Sequence, residues 1–229
     1  MSSNHPQVPP NGRTSRRPRQ GGRLAALALP FAVAGVLAAS VSTAHAAPAP
    51  AREDRHGGSA TCRGEGVDPG ARVRYAADIV IDAPLSTVWT LQTDVARWPS
   101  WQPPVLTAKR LDPGPLRKGS RFRWTTPAPP TVPADAMTIT STVGQLRPGS
   151  CLLWRGPAVG EGARIDEGVH LWTFTKVGGG VRVHTEETWT GAQVDADVPN
   201  STRLLGEGLE AWLRDLKATA EARSGHPRG

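Results

Sequence analysis

The chain has little of what metal, nucleotide or acyl-transfer chemistry requires. Only two cysteines occur in 229 residues, Cys62 and Cys151. Neither has a second Cys or a His at ligand spacing, which makes a poor metal site. No glycine-rich loop joins a strand to a helix, because the Gly178-Gly179-Gly180 triplet links two strand patterns. A nucleophile elbow and a His-Glu zinc helix are also missing. A nucleotide or metal cofactor is therefore not implied, and the expected cofactor set is none. Phenylalanine and tyrosine are scarce, at three and one, against eight tryptophans. No internal repeat is evident.

Acidic residues are absent before residue 47, where Arg13, Arg16, Arg17, Arg19 and Arg23 lie. Removing those five from the formal charge of +7 leaves +2 for the remainder. The remainder shows no basic stripe interleaved with aromatics, so nucleic acid is not an expected partner. Residues 1–46 read instead as an export signal peptide: a basic stretch to Arg23, an apolar run from Leu24 to Val41, and Ala44-His45-Ala46 ahead of a cleavage point. Ser15-Arg16-Arg17 hints at the twin-arginine route. The rival reading is an uncleaved anchor, since about 18 apolar residues just span a bilayer. After cleavage no stable membrane span is expected, and the protein is placed as secreted or extracytoplasmic. Residues 47–71 are rich in Ala, Pro and Gly and read as a disordered tether. A domain over 72–223 and a disordered tail over 224–229 follow. In an exported chain Cys62 and Cys151 can form a disulfide; the alternative is a buried Cys151 and a free Cys62 thiol.

Alternation of period two dominates the domain. Strands are expected over Val73–Ile81, Val105–Leu111, Ser120–Trp124, Met137–Val143, Cys151–Trp154, Val169–Val177 and Val181–Trp189. Pro84 opens a short helix, and Asp94 is placed as the N-cap of the next turn. Thr125–Ala134 holds four prolines and is expected as a rim loop; Gly156–Gly162 is expected as a flexible loop. A last helix begins near Pro199, with Leu205, Leu209, Trp212 and Leu216 forming one apolar stripe. Gly206 and Gly208 interrupt it, either as a tolerated cost or as room for a ligand or for helix movement.

The stretch Ile79-Val80-Ile81-Asp82-Ala83-Pro84, then Val88-Trp89, Asp94, and Trp98-Pro99-Ser100-Trp101 resembles the opening of the polyketide cyclase/dehydrase and lipid-transport family. That family lies in the START and birch-pollen-allergen-like superfamily (SRPBCC). The resemblance implies an α+β helix-grip fold, a curved antiparallel sheet of about seven strands wrapped on a long C-terminal helix, with an internal cavity. It implies hydrophobic ligand or lipid binding as one activity, and an aromatase, cyclase or dehydratase as the other.

Two side chains stand out for chemistry. Val181, Val183, Thr185, Glu187 and Trp189 share one face of the last strand, which places the Glu187 carboxylate inward. Desolvation there would raise its pKa toward neutrality, which suits a general acid or base. The structural alternative is pairing with an arginine or a threonine hydroxyl. His170 shares a face with Trp172 and Phe174, and Val169, Leu171 and Thr173 make the opposite face apolar too, so its direction stays open; it is the acid candidate. His184 is expected to meet solvent. Trp101, Trp124, Trp172 and Trp189, with Glu187, are the candidate ligand contacts, for flat hydrophobic molecules with a few polar edges. The expected function is an exported binding protein for a small hydrophobic molecule. The alternative is an enzyme with Glu187 as base and His170 as acid.

Overall fold

A computed structural model describes residues 60–225. The expected export signal, residues 47–59 of the expected tether, and 226–229 of the expected tail lie outside the described residues.

Seven antiparallel strands form one curved open sheet: β1 (Val73–Ile81), β2 (Thr107–Arg110), β3 (Arg121–Pro127), β4 (Ala136–Arg147), β5 (Cys151–Gly160), β6 (Ala163–Val177) and β7 (Gly180–Thr190). Their spatial order is β1-β7-β6-β5-β4-β3-β2. Register shifts at Val143/Gln145 and Gly156/Ala158 interrupt the β4–β5 and β5–β6 ladders; such bulges bend a sheet and increase its twist. α1 (Leu85–Thr93) and a 3₁₀ turn (Val95–Ser100) follow β1. The long α3 (Val198–Arg223) packs against β1 and α1. This is the helix-grip architecture.

Several local expectations change. Gly156–Gly162 is not a loop: β5 runs to Gly160 and β6 starts at Ala163, because the bulge absorbs the irregular glycine and proline. Thr125–Ala134 is partly strand. β3 continues through Pro127, which pairs with Ala136. The missing proline N–H is harmless there, since β2 pairs with β3 only as far as Thr125. The second strand contracts to four residues. Asp94 occupies the cap position of the 3₁₀ turn, but its side chain makes no capping hydrogen bond. Asp197 does cap α3, accepting from the Asn200 N–H at 3.1 Å. A five-residue helix, α2 (Ala192–Ala196), precedes it. Gly206 leaves no room for a ligand: a Cβ there would lie 2.7 Å from the Tyr75 ring. Its missing side chain lets α3 press on β1.

The largest correction concerns the tether. Residues 60–71 are folded as a strap across the outer face of the sheet. Cys62 is joined to Cys151, with Cα atoms 5.4 Å apart. Cys62 and Val67 pack with Cys151, Leu153, Val169 and Leu171 in a second small core. Glu65 accepts from Gln145 Nε2, the Asp68 N–H donates to Thr188 Oγ1 at 3.3 Å, and Arg74 pairs with Glu186 beneath the strap. The low-complexity composition hid this because two anchors, Cys62 and Val67, suffice to fix a short segment.

Candidate functional site

The main core lies between the inner face of the sheet, α1 and α3. At its centre is Trp98, fully buried, in edge-to-face contact with Phe122 at 5.4 Å, Trp124 at 5.9 Å and Trp212 at 5.0 Å between ring centroids. Trp154 and Trp172 close the β5–β6 side, with centroids 6.3 Å apart. At such separations the rings touch. The cavity implied by the family resemblance is therefore closed at its centre by the protein's own indoles.

β6 and β7 supply the polar unit. His170 pairs across the ladder with Glu187, and its Nδ1 lies 2.9 Å from Glu187 Oε2. Its Nε2 lies 2.7 Å from Thr185 Oγ1. The Trp189 indole N–H donates to Glu187 Oε1 at 2.8 Å, fixing the carboxyl. Thr185 Oγ1 also reaches the Leu171 carbonyl at 3.4 Å. If the hydroxyl donates to that carbonyl, Nε2 must carry a proton and donate to Thr185. One proton then lies between Nδ1 and Oε2, carried either by the imidazole or by the carboxyl. The imidazole rests against Trp154 and Trp172, at 4.9 and 4.8 Å. Gly168 makes room for this unit, since a Cβ there would sit 3.2 Å from Glu187 Oε1.

Both candidate catalytic side chains thus face inward and meet each other. The two faces of β6 looked equally apolar because both are covered, one by α3 and the aromatic core, the other by the strap. Of the candidate ligand contacts, Trp101, Trp124 and Trp172 belong to the central aromatic body, each with its ring against Trp212. Trp189 does not. It packs in a separate cluster with Val73, Leu205 and Leu209, and its contribution is to hold Glu187. His184 is half-buried on the outer face, where it pairs with the exposed Asp78 at 3.1 Å.

Sequence reasoning passed over Gln92, Gln102 and the central position of Trp212. The Trp212 indole N–H donates to Gln92 Oε1 at 3.0 Å. Gln102 Nε2 donates to the Trp212 carbonyl at 3.0 Å. Gln92 was detectable, because Val88, Leu91, Gln92 and Val95 recur at helical spacing and put a polar amide on an apolar stripe.

Two open grooves lie elsewhere. One, of about 650 Å³, is bordered by Pro84, Leu85, Trp89, Lys176 and Gly179. The other, of about 450 Å³, lies on the outer face between Arg121 and Arg155. Neither is lined by His170, Glu187 or the four candidate tryptophans.

Sheet, gripping helix and tryptophan-filled interior together define a START-like helix-grip protein. Residues 72–221 match the family described as polyketide cyclase / dehydrase and lipid transport, and the chain belongs to it. Solved structures share the fold. The di-domain aromatase/cyclase StfQ of the steffimycin biosynthetic pathway is similar at a TM-score of 0.55 and 21% identity, covering 67% of this chain and 52% of that one. The chain thus spans about half of that relative. A protein from Thermus thermophilus aligns at a TM-score of 0.54 and 20% identity, covering 66% and 99%. A START superfamily protein from Mycobacterium smegmatis aligns at 0.53 and 13% identity, covering 65% and 97%. No curated protein sequence matches the chain. The family match begins at residue 72, after the strap. Among the described residues no helix is long and apolar enough to cross a membrane, and no cluster of three or more potential metal ligands occurs.

Proposed function

We propose that the protein is an exported binding protein that holds a small hydrophobic molecule against its tryptophan-rich inner face. The observation that carries this reading is the concentration of Trp98, Trp101, Trp124, Trp154, Trp172 and Trp212 in one body between sheet and helix. The family description, which includes lipid transport, points the same way. Export is supported by the signal-like residues 1–46 and by the Cys62–Cys151 bridge, since disulfides persist in oxidising compartments.

A second reading, an aromatase- or cyclase-type enzyme, draws on the His170–Glu187 pair. Glu187 would take a proton from a carbon next to a carbonyl, and His170 would act as the acid, donating to the enolate oxygen. It ranks lower because the chain is read as exported, whereas polyketide cyclisation works on carrier-bound chains inside the cell.

Native mass spectrometry of the protein recovered from the exported fraction tests the first reading. An extra mass released by mild activation supports a carrier and supplies its ligand; a clean apo mass counts against a tight carrier. That compound then serves for turnover with Glu187→Gln. Unchanged turnover removes the enzymatic reading.

A further inference from the structure

The strap covers only part of the outer face. Toward the β2 edge that face is laid out in cross-strand rows. In the first, Arg121 pairs with Thr142, and Thr142 with Arg155. Leu111 extends this row, its N–H donating to the Arg121 carbonyl at 2.9 Å. In the second, Lys109 pairs with Arg123, and Arg123 with Thr140. In the third, Thr125 pairs with Thr138, and Thr138 with Val159. Strand alternation puts all three rows on one face of the sheet. The outer groove of about 450 Å³ follows the first row, with Arg121 and Arg155 as cationic walls and the Thr140 and Thr142 hydroxyls between them.

The charge of this face is one-sided. β2, β3, β4 and β5 contain no Asp or Glu, whereas β6 and β7 hold Asp166, Glu167, Glu186 and Glu187. Lys109, Arg121 and Arg123 are exposed and make no ion pair among the described residues. Lys109 and Arg123 stand directly opposite each other, an arrangement that destabilises a sheet. Two carboxylates reach the border. Glu167 lines the groove. Glu65 of the strap lies 3.7 Å from both Arg155 and Lys118, so the face already receives one anion from the chain itself. Leu111 and Val159 are 38% and 42% exposed at its margins. A soluble acidic polymer has no use for exposed aliphatic side chains, while a lipid interface buries them beside its head groups. The cations form no run in the sequence, because they are spread from Lys109 to Arg155 and meet only through strand register.

We propose that this half of the outer face docks on an anionic phospholipid surface. Lys109, Arg121, Arg123 and Arg155 meet the head-group phosphates, and Leu111 and Val159 enter the interface. Guanidinium forks suit phosphate oxygens, and the threonine hydroxyls between them add donors. The docking face lies across the sheet from the tryptophan body, so it is independent of what the interior holds.

The test is vesicle sedimentation with the disulfide-intact protein from the exported fraction. Phosphatidylcholine vesicles are compared with vesicles carrying about one-third phosphatidylglycerol, at whose surface each basic side chain is worth about fivefold in partitioning. The wild type should bind the anionic vesicles at least about tenfold more tightly, and lose that advantage as salt shortens the Debye length to about 3 Å. Arg121→Gln/Arg123→Gln should cut anionic-vesicle binding about 10- to 30-fold. It should also raise the thermal midpoint slightly by ending the Lys109–Arg123 repulsion, a sign opposite to that of a purely structural role. Should that variant not fold, Lys109→Gln carries the test with about a fivefold loss. Arg203→Gln/Arg214→Gln removes the same charge from α3 and should leave binding within about twofold. Any leader retained on the chain contributes equally to every variant. Equal binding to both vesicle types overturns the proposal, as does no binding to either. An equal loss in the α3 variant overturns the assignment to this face and leaves net charge alone. Retention on immobilised polyglutamate without vesicle binding overturns it in favour of an acidic polymer. None of these outcomes bears on the ligand-mass test of the interior.

Discussion

The same strands are covered on their two faces in different ways. On the outer face, the strap of residues 60–71 is fixed by a disulfide and its polar groups find partners: Glu65 with Gln145, Asp68 with Thr188, and Glu186 below it with Arg74. On the inner face, α3 holds a larger aromatic core without covalent help, and amide and indole groups are left unmatched. A cover whose hydrogen bonds are complete has nothing left to offer a ligand. A cover with spare donors does. The outer cover is tied down, and the inner one is left with unmatched polar atoms.

The largest test of that contrast is removal of the bridge. Cys62 and Cys151 are 89 residues apart in sequence, and a cross-link of that span is worth about 4–5 kcal/mol in the chain-entropy description. A Cys62→Ser/Cys151→Ser double variant should lose about that much in denaturant unfolding, and reductant should lower the thermal midpoint of the wild type but not of the variant. Next come the two cores. Leu171 beneath the strap and Leu152 beneath the aromatic core are both fully buried, so either change to Ala should cost about 2–5 kcal/mol. A double-mutant cycle separates them. The Leu171→Ala cost should shrink when the bridge is absent, and the Leu152→Ala cost should not. Equal shrinkage would merge the two faces into one cooperative unit.

Along α3 the effects should be smaller and opposite in sign. Gly206→Ala drives a methyl against the Tyr75 ring and should destabilise by about 1–3 kcal/mol. Gly208 has nothing within 4 Å of a Cβ position, so Gly208→Ala should stabilise by up to about 1 kcal/mol through helix propensity. Thermal melts of the two variants should move in opposite directions.

The smallest effect is acid dependence at the β2–β3 connection. The Arg121 backbone N–H, at 2.6 Å, and then the Arg110 side chain hold the Asp112 carboxyl below its ordinary pKa. Its folded value lies below its unfolded one. The stability it adds is present above the ordinary carboxylate range near 3.9 and is lost as pH falls through the folded value. Asp112→Asn should lower stability slightly at neutral pH, where the ionised carboxyl contributes, and flatten the shallow loss at the acid end of that range, read from unfolding midpoints against pH.

Strand alternation put Glu187 on the inner face, and the structure shows it there, paired with His170. The same alternation put Glu186 on the opposite face, where it is buried all the same. Periodicity assigns a face but not what lies over it, and the strap that buries Glu186 is made of residues whose composition reads as disorder. His170 looked ambiguous because β6 is apolar on both sides, which in retrospect is the mark of a sheet covered twice. The five residues of α2 are too few for any period to emerge. Gly206 could not be understood from α3 alone, since its reason is a ring on β1. The closed aromatic centre was hidden too. Eight tryptophans were countable, but their mutual contact depends on strand register and on where α3 crosses.

The bridge also sets where mechanical load travels. β1 is an edge strand, and the chain enters the family domain through it, but Cys62 is joined to β5, the fourth strand in from that edge. Tension applied to the chain ahead of Cys62 therefore passes through the sulfur bridge into the middle of the sheet. Residues 63–72 stay slack, β1 is not peeled from β7, and the His170–Glu187 pair beside that seam is shielded from any pull on the preceding chain.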